Sequence, residues 1–132
     1  MSDALQDLAD RLKAEALTFP EAWEDHPWGD TVVKVRKKVF VFLGLPPDQT
    51  EDGSYGFSVK LPESAEVALT MTGTQPTGYG LGRAGWVTVR VQPGDEPPAD
   101  LYSDWLDESY RAVAPKTLVK QLDADRSDGG DA

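Results

Sequence analysis

The chain contains no cysteine and only one histidine. The first absence excludes disulfides, thiolate catalysis and Cys-ligated zinc or iron–sulfur centres, and it suits a reducing compartment. The second makes any histidine-based triad or metal site depend on His26 alone. No run of about 18 apolar residues occurs, so no helical membrane span is expected. The opening Met-Ser-Asp-Ala-Leu-Gln-Asp is acidic and lacks the basic and apolar regions of a secretory signal, so a cytoplasmic setting is expected. Positive charge is also scarce. Thirteen Lys and Arg face 23 Asp and Glu, giving a net charge of −10, which opposes unselective attraction to phosphate polymers and anionic lipid.

What is present is enough for one folded domain. Four Trp, four Tyr and four Phe in 132 residues supply large apolar surfaces. Leu5, Leu8, Leu12 and Ala16 recur at helical spacing and predict a helix from about Asp3 to Leu17 that Pro20 ends. Ala22 to Trp28 reads as a connector or short strand. Thr31–Val35 and Lys38–Leu43 read as a hairpin turning on Arg36-Lys37, with Val35 opposite Lys38 and Val33 opposite Phe40. In that register Val33, Val35, Phe40 and Phe42 face the core, and Val32, Lys34, Val39 and Val41 face away; the turn lacks the usual glycine, which leaves room for a slip.

A loop over Gly44 to Gly53 leads to a third strand, Ser54 to Leu61, with Tyr55, Phe57 and Val59 on one side. A short helix is expected from Pro62 to about Met71, a glycine-rich loop from Gly73 to Gly85, and a strand from Trp86 to Val91. A last long helix, about Ala99 to Ala114, carries Leu101, Trp105, Leu106, Ser109, Ala112 and Val113, with one or two further helical turns over Lys116 to Leu122. No strand–helix–strand unit repeats. The fold class expected is α+β: two layers, an antiparallel sheet with helices packed on one face, in a single domain over residues 1–122, followed by an acidic tail at 123–132 expected to be disordered.

Few motifs carry chemistry. Gly80-Leu81-Gly82-Arg83-Ala84-Gly85 matches G-x-G-x-x-G, but a strand follows it where a dinucleotide site needs a helix, so it reads as a flexible loop with Arg83 at its tip. No nucleophile motif accompanies His26, which reads as a turn-fixing side chain. Asp3, Asp7 and Asp10 read as a solvated helix face before they read as an oxygen-ligand metal site. No catalytic residue, metal ligand or cofactor is expected.

The sign of the charge reverses locally. From Thr31 to Pro47 there are four cations and no anion. Lys34, Arg36, Lys37, Lys38, Lys60, Arg83 and Arg90 all lie on strands or at their ends, and Trp86 shares a strand face with Arg90. Cations and an aromatic ring on a sheet can hold phosphates and stack bases; solvent-facing lysines guarding a strand edge are the plainer reading.

His26-Pro27-Trp28-Gly29, then Val35, Lys38 and Phe40, then Val59-Lys60-Leu61-Pro62, Gly78-Tyr79-Gly80, Trp86-Val87-Thr88-Val89 and Asp107-Glu108-Ser109-Tyr110-Arg111-Ala112-Val113 together resemble the MmcQ/YjbR family over about Leu5 to Leu122. The resemblance implies a small bacterial domain with a frataxin-like (CyaY-like) fold and a DNA-binding label. Many members carry a Tyr-His-Met-Asn-Lys-type loop where this chain has Tyr79 to Gly85, and Gly-Gly where it has Arg36-Lys37. The function expected is thus a non-enzymatic binding domain, for nucleic acid through Lys34, Arg36, Lys37, Lys38, Lys60, Arg83, Arg90 and Trp86. The alternatives are a protein-interaction or adaptor module on the same sheet face, or a frataxin-like metal-binding domain. No membrane partner is expected, and the state expected is a monomer or weak dimer.

Overall fold

A computed structural model describes residues 3–27, 30–45, 47–78 and 81–130. Six strands form one antiparallel sheet: β1 (Ala22–Asp25), β2 (Thr31–Val35), β3 (Lys38–Gly44), β4 (Tyr55–Lys60), β5 (Thr74–Pro76) and β6 (Trp86–Val91). Their order across the sheet is β1-β2-β3-β4-β6-β5. Four helices accompany them: α1 (Asp3–Ala16), α2 (Ala65–Ala68), α3 (Ala99–Val113) and α4 (Lys116–Gly130). The architecture is α+β, an open antiparallel sheet with helices packed against it.

The core follows from apolar periodicity. Leu5, Leu8, Leu12 and Ala16 are buried along one stripe of α1, the i, i+3, i+4 pattern of a helix lying on a larger body. Tyr55, Phe57 and Val59 on β4, and Val87, Val89 and Val91 on β6, alternate inward at the period of a strand. Helix α3 covers them with Tyr102, Trp105, Leu106 and Tyr110. Phe19, Phe40 and Tyr110 form an aromatic triangle with centroid separations of 4.8 to 5.7 Å, and the Tyr110 hydroxyl donates to the Pro20 carbonyl at 2.7 Å.

The β2–β3 hairpin departs from simple alternation. Val35 pairs with Lys38 as expected, but Val33 pairs with Val41 where Phe40 is expected, and Val32 pairs with Phe42. Phe40 and then Leu43 are extra residues on β3, that is, two bulges. A bulge moves the later residues of its strand to the opposite face. Val41 therefore joins the core, whereas Phe42 turns to the other side and meets Trp86 edge to face at 5.2 Å. The turn itself uses Arg36 at φ 56°, a left-handed conformation that glycine adopts more readily. It is held by Trp23, whose indole N–H donates to the Arg36 carbonyl at 2.8 Å.

Three other segments differ from the sequence reading. The glycine-rich stretch contains a strand, β5, paired with β6 through Thr74, Gln75 and Pro76. The helix expected from Pro62 is a single turn, α2. The acidic C-terminal segment is helical to Gly130. It continues the helical turns expected over Lys116 to Leu122, where Leu118 and Leu122 are buried, and two ion pairs link it to α3: Arg111 with Asp123 at 2.6 Å and Arg126 with Asp107 at 3.0 Å.

Candidate functional site

The expected cations separate into three groups. Lys34 lies on the face of the sheet opposite the four α-helices, but its ammonium sits 2.7 Å from the Asp25 carboxylate and 5.2 Å from the Trp23 ring centroid. Pairing of β1 with β2 brings these together, because Trp23 stands opposite Lys34 and Asp25 opposite Val32. The Lys34 hydrogen bond holds the Asp25 carboxyl below its ordinary range, assisted by the His26 backbone N–H. Lys34 is therefore largely neutralised. Arg36 pairs with Glu21 at 3.2 Å, both side chains about half exposed.

The second group lies at the hairpin tip. Arg36, Lys37 and Lys38 line a groove with Lys116, over a floor of Val35, Val113, Ala114 and Pro115; its volume is about 520 Å³. Lys37, Lys38 and Lys116 are exposed and take part in none of the described ion pairs. The groove opens at the start of α4, a 15-residue helix with no acidic residue in its first turn. Its unpaired N–H groups and dipole add positive potential there. None of the lining residues is acidic, whereas the three other described grooves each include at least one carboxylate. Lys116 is the member that the sequence reading missed. Only the packing of the α3–α4 junction against the hairpin reveals it.

The third group stays on the face opposite the four α-helices. Lys60 pairs across strands with Trp86, and Arg90 with Gly56. Arg90 is exposed, and its guanidinium donates to the Ser54 hydroxyl at 3.0 Å. Trp86 is only 8% exposed, so it offers no open ring to a base and acts as a brace for Phe42. The Arg83 side chain, with Trp28, Gly29, Tyr79 and Gly80, lies outside the described residues.

His26 is exposed, and its Nε2 lies 2.6 Å from Glu24, which also receives Lys13 at 3.1 Å. Burial alone would raise the Glu24 carboxyl, but the hydrogen bonds and charges of Lys13 and His26 overcome it and hold the group below its ordinary value. Among the described residues no three His, Asp or Glu side chains converge as metal ligands.

The acidic and polar run at the end of α3 has a different task. Glu108 accepts the Glu63 and Ser64 backbone N–H groups at 2.9 and 3.0 Å and the Ser64 hydroxyl at 2.6 Å. Ser109 is fully buried; it donates to the Phe40 carbonyl and accepts the Lys60 N–H at 2.8 Å. Arg111 joins Asp107 to Asp123. Together with Tyr110, these neighbours fasten α3 to α2, β3, β4, α4 and the α1–β1 connection, so the segment is structural.

A family model described as YjbR matches residues 17–112. The crystal structure of Deinococcus radiodurans protein DR2400, with the family-model domain DUF419, is similar at a TM-score of 0.64 and 27% sequence identity, covering 86% of each chain. No curated protein matches.

Proposed function

The chain belongs to the YjbR family, and from that premise we propose that it is a non-enzymatic domain that binds nucleic acid by its phosphates, at the lysine groove formed by the β2–β3 tip and the start of α4. One observation carries this reading: Lys37, Lys38 and Lys116 converge without an acidic neighbour among the groove's lining residues, in a chain whose net charge is −10. A concentration of unpaired cations against that background is what a polyanion would select. The apolar floor of Val35, Val113, Ala114 and Pro115 lowers the local dielectric and strengthens each phosphate contact.

The contact is small, so affinity rests on charge. Three lysines neutralising about three phosphates give a slope of log K on log salt of about −2.7 on duplex DNA, or roughly a 40-fold loss between about 50 and 200 mM salt. Fluorescence anisotropy of a labelled 20-nucleotide duplex measures this directly. Replacing Lys37, Lys38 and Lys116 by Glu together should abolish the signal, while Lys34→Gln, which removes a cation already paired, should leave it nearly unchanged. No anisotropy change with about 100 μM protein at about 50 mM salt rejects the reading.

A further inference from the structure

The face of the sheet opposite the four α-helices, where a short 3-10 helix (Leu81–Ala84) lies, holds a second groove separate from the lysine corner. Its volume is about 300 Å³, the lower end of the range for small-molecule sites. Three features of its lining point to one kind of ligand.

The first is a floor without side chains. Gly44 on β3 and Gly56 on β4 lie side by side, and the Cβ of a residue at 44 would come within 2.9 Å of the Gly56 carbonyl. Gly56 does not have a left-handed φ, so its backbone does not call for glycine. A Cβ there would instead meet the Arg90 guanidinium at 3.3 Å and the Val89 carbonyl at 3.3 Å. A glycine inside a strand costs order, and it commonly marks close approach by another group. Here the missing side chain lets the Arg90 guanidinium lie directly across the strand, at the groove.

The second feature is charge. Arg90 flanks the glycines on the β6 side and Asp30 on the β2 side, and both line the groove. The guanidinium spends one donor on Ser54 and has no carboxylate within ion-pair distance among the described residues. Its remaining donors make no hydrogen bond among the described residues and can meet an anion, although Asp52, which accepts the Ser54 hydroxyl, already feels the Arg90 charge. Asp30 offers an acceptor to an amino group.

The third is an aromatic wall beside a chain of hydroxyls. Phe42 is half-buried and braced by Trp86. Beside it Ser58 and Thr88 share a hydrogen bond at 2.8 Å, and Thr88 and Thr77 another at 2.9 Å. Hydroxyls both donate and accept, so this chain can meet the polar edge of a heterocycle.

We infer that this groove binds a small planar heteroaromatic ligand that carries an amino edge and one anionic group, the chemistry of an aminopurine nucleoside monophosphate. The ring lies against Phe42, the anion meets Arg90 where its guanidinium crosses Gly56, and the amino group faces Asp30. The site is on the other side of the sheet from the lysine groove and does not require polymer binding, so either can fail without the other.

Titration of the ¹⁵N-labelled full chain with adenosine 5′-monophosphate, followed by amide chemical shifts, tests this. Saturable shifts are expected at residues 42, 56, 58, 88 and 90 with a Kd below about 1 mM. Adenosine, which lacks the anion, and benzoate, which lacks the amino edge, should each bind at least about tenfold more weakly. Arg90→Gln should weaken the nucleotide about tenfold or more while leaving distant amides in place. Thr88→Val, which keeps the side-chain shape, should weaken it through the ring edge alone. Three results overturn the inference: no shift at these amides at about 10 mM nucleotide, equal binding by Arg90→Gln and the unaltered chain, or shifts confined to residues 36–38 and 116.

Discussion

Replacing Ser109 by Ala should destabilise the fold far more than loss of one hydroxyl normally does. In the β3–β4 register, where Val41 faces Val59 and Phe42 faces Ser58, the next pair would be Phe40 with Lys60. The bulge at Phe40 opens the ladder at that point, and Ser109 enters from α3 to take both ends, accepting from the Lys60 N–H and donating to the Phe40 carbonyl. Its removal leaves two buried backbone groups without partners, at about 1–3 kcal/mol each. With partial closure of the strands the expected loss is about 2–4 kcal/mol, a large share of a total stability of about 5–15 kcal/mol. For 132 residues at about 2.1 cal/mol/K of unfolding entropy per residue, Tm falls by about 7–14 °C. Urea and thermal melts measure the loss, and hydrogen exchange at the Lys60 amide reports its cause. A loss below about 1 kcal/mol with that amide still protected would show that the strands bond directly, and would refute the bridging role.

Stability should fall on acidification. Glu24, Asp25, Asp52 and Asp123 are all held below their ordinary values in the fold, so the unfolded chain binds more protons; their contribution is full above about pH 4.5 and is lost as pH drops through about 4 and below. Urea midpoints that stay constant from about pH 5 to 3 would contradict this. Burial pushes Tyr55, Tyr102 and Tyr110 up, so a second decline should begin as pH rises past about 10. Glu108→Ala removes the acceptor for two backbone N–H groups and the Ser64 hydroxyl, and should cost about 1.5–3 kcal/mol in a urea melt, with faster amide exchange at residues 63 and 64.

The sequence displays those parts of the fold in which one face is apolar and the other polar. The α1 stripe of Leu5, Leu8, Leu12 and Ala16 and the alternation along β4 and β6 are of this kind. It misleads where both faces are apolar. Val39-Phe40-Val41-Phe42-Leu43 offers no polar residue to mark a slip, so two bulges go unmarked and simple alternation puts Phe42 in the wrong layer. Strand β5 is only three residues, of which Thr74 alone favours strands, and it exists because β6 offers it a ladder. The site is less legible than the fold. A count of cations cannot tell that β1 delivers Asp25 to Lys34, or that Lys116, distant in sequence from Lys37 and Lys38, completes their groove. The Asp107–Arg111 run is visible as part of the family likeness, but its role depends on five different neighbours that appear only after folding.

The two border strands of the sheet have a further consequence. β5 is three residues long, and one of them, Pro76, has no N–H to give. β1 is four residues long and carries Glu24 and Asp25. A strand from another molecule would find too few hydrogen bonds on one flank and two carboxylates on the other, which is how open sheets resist growing into fibrils.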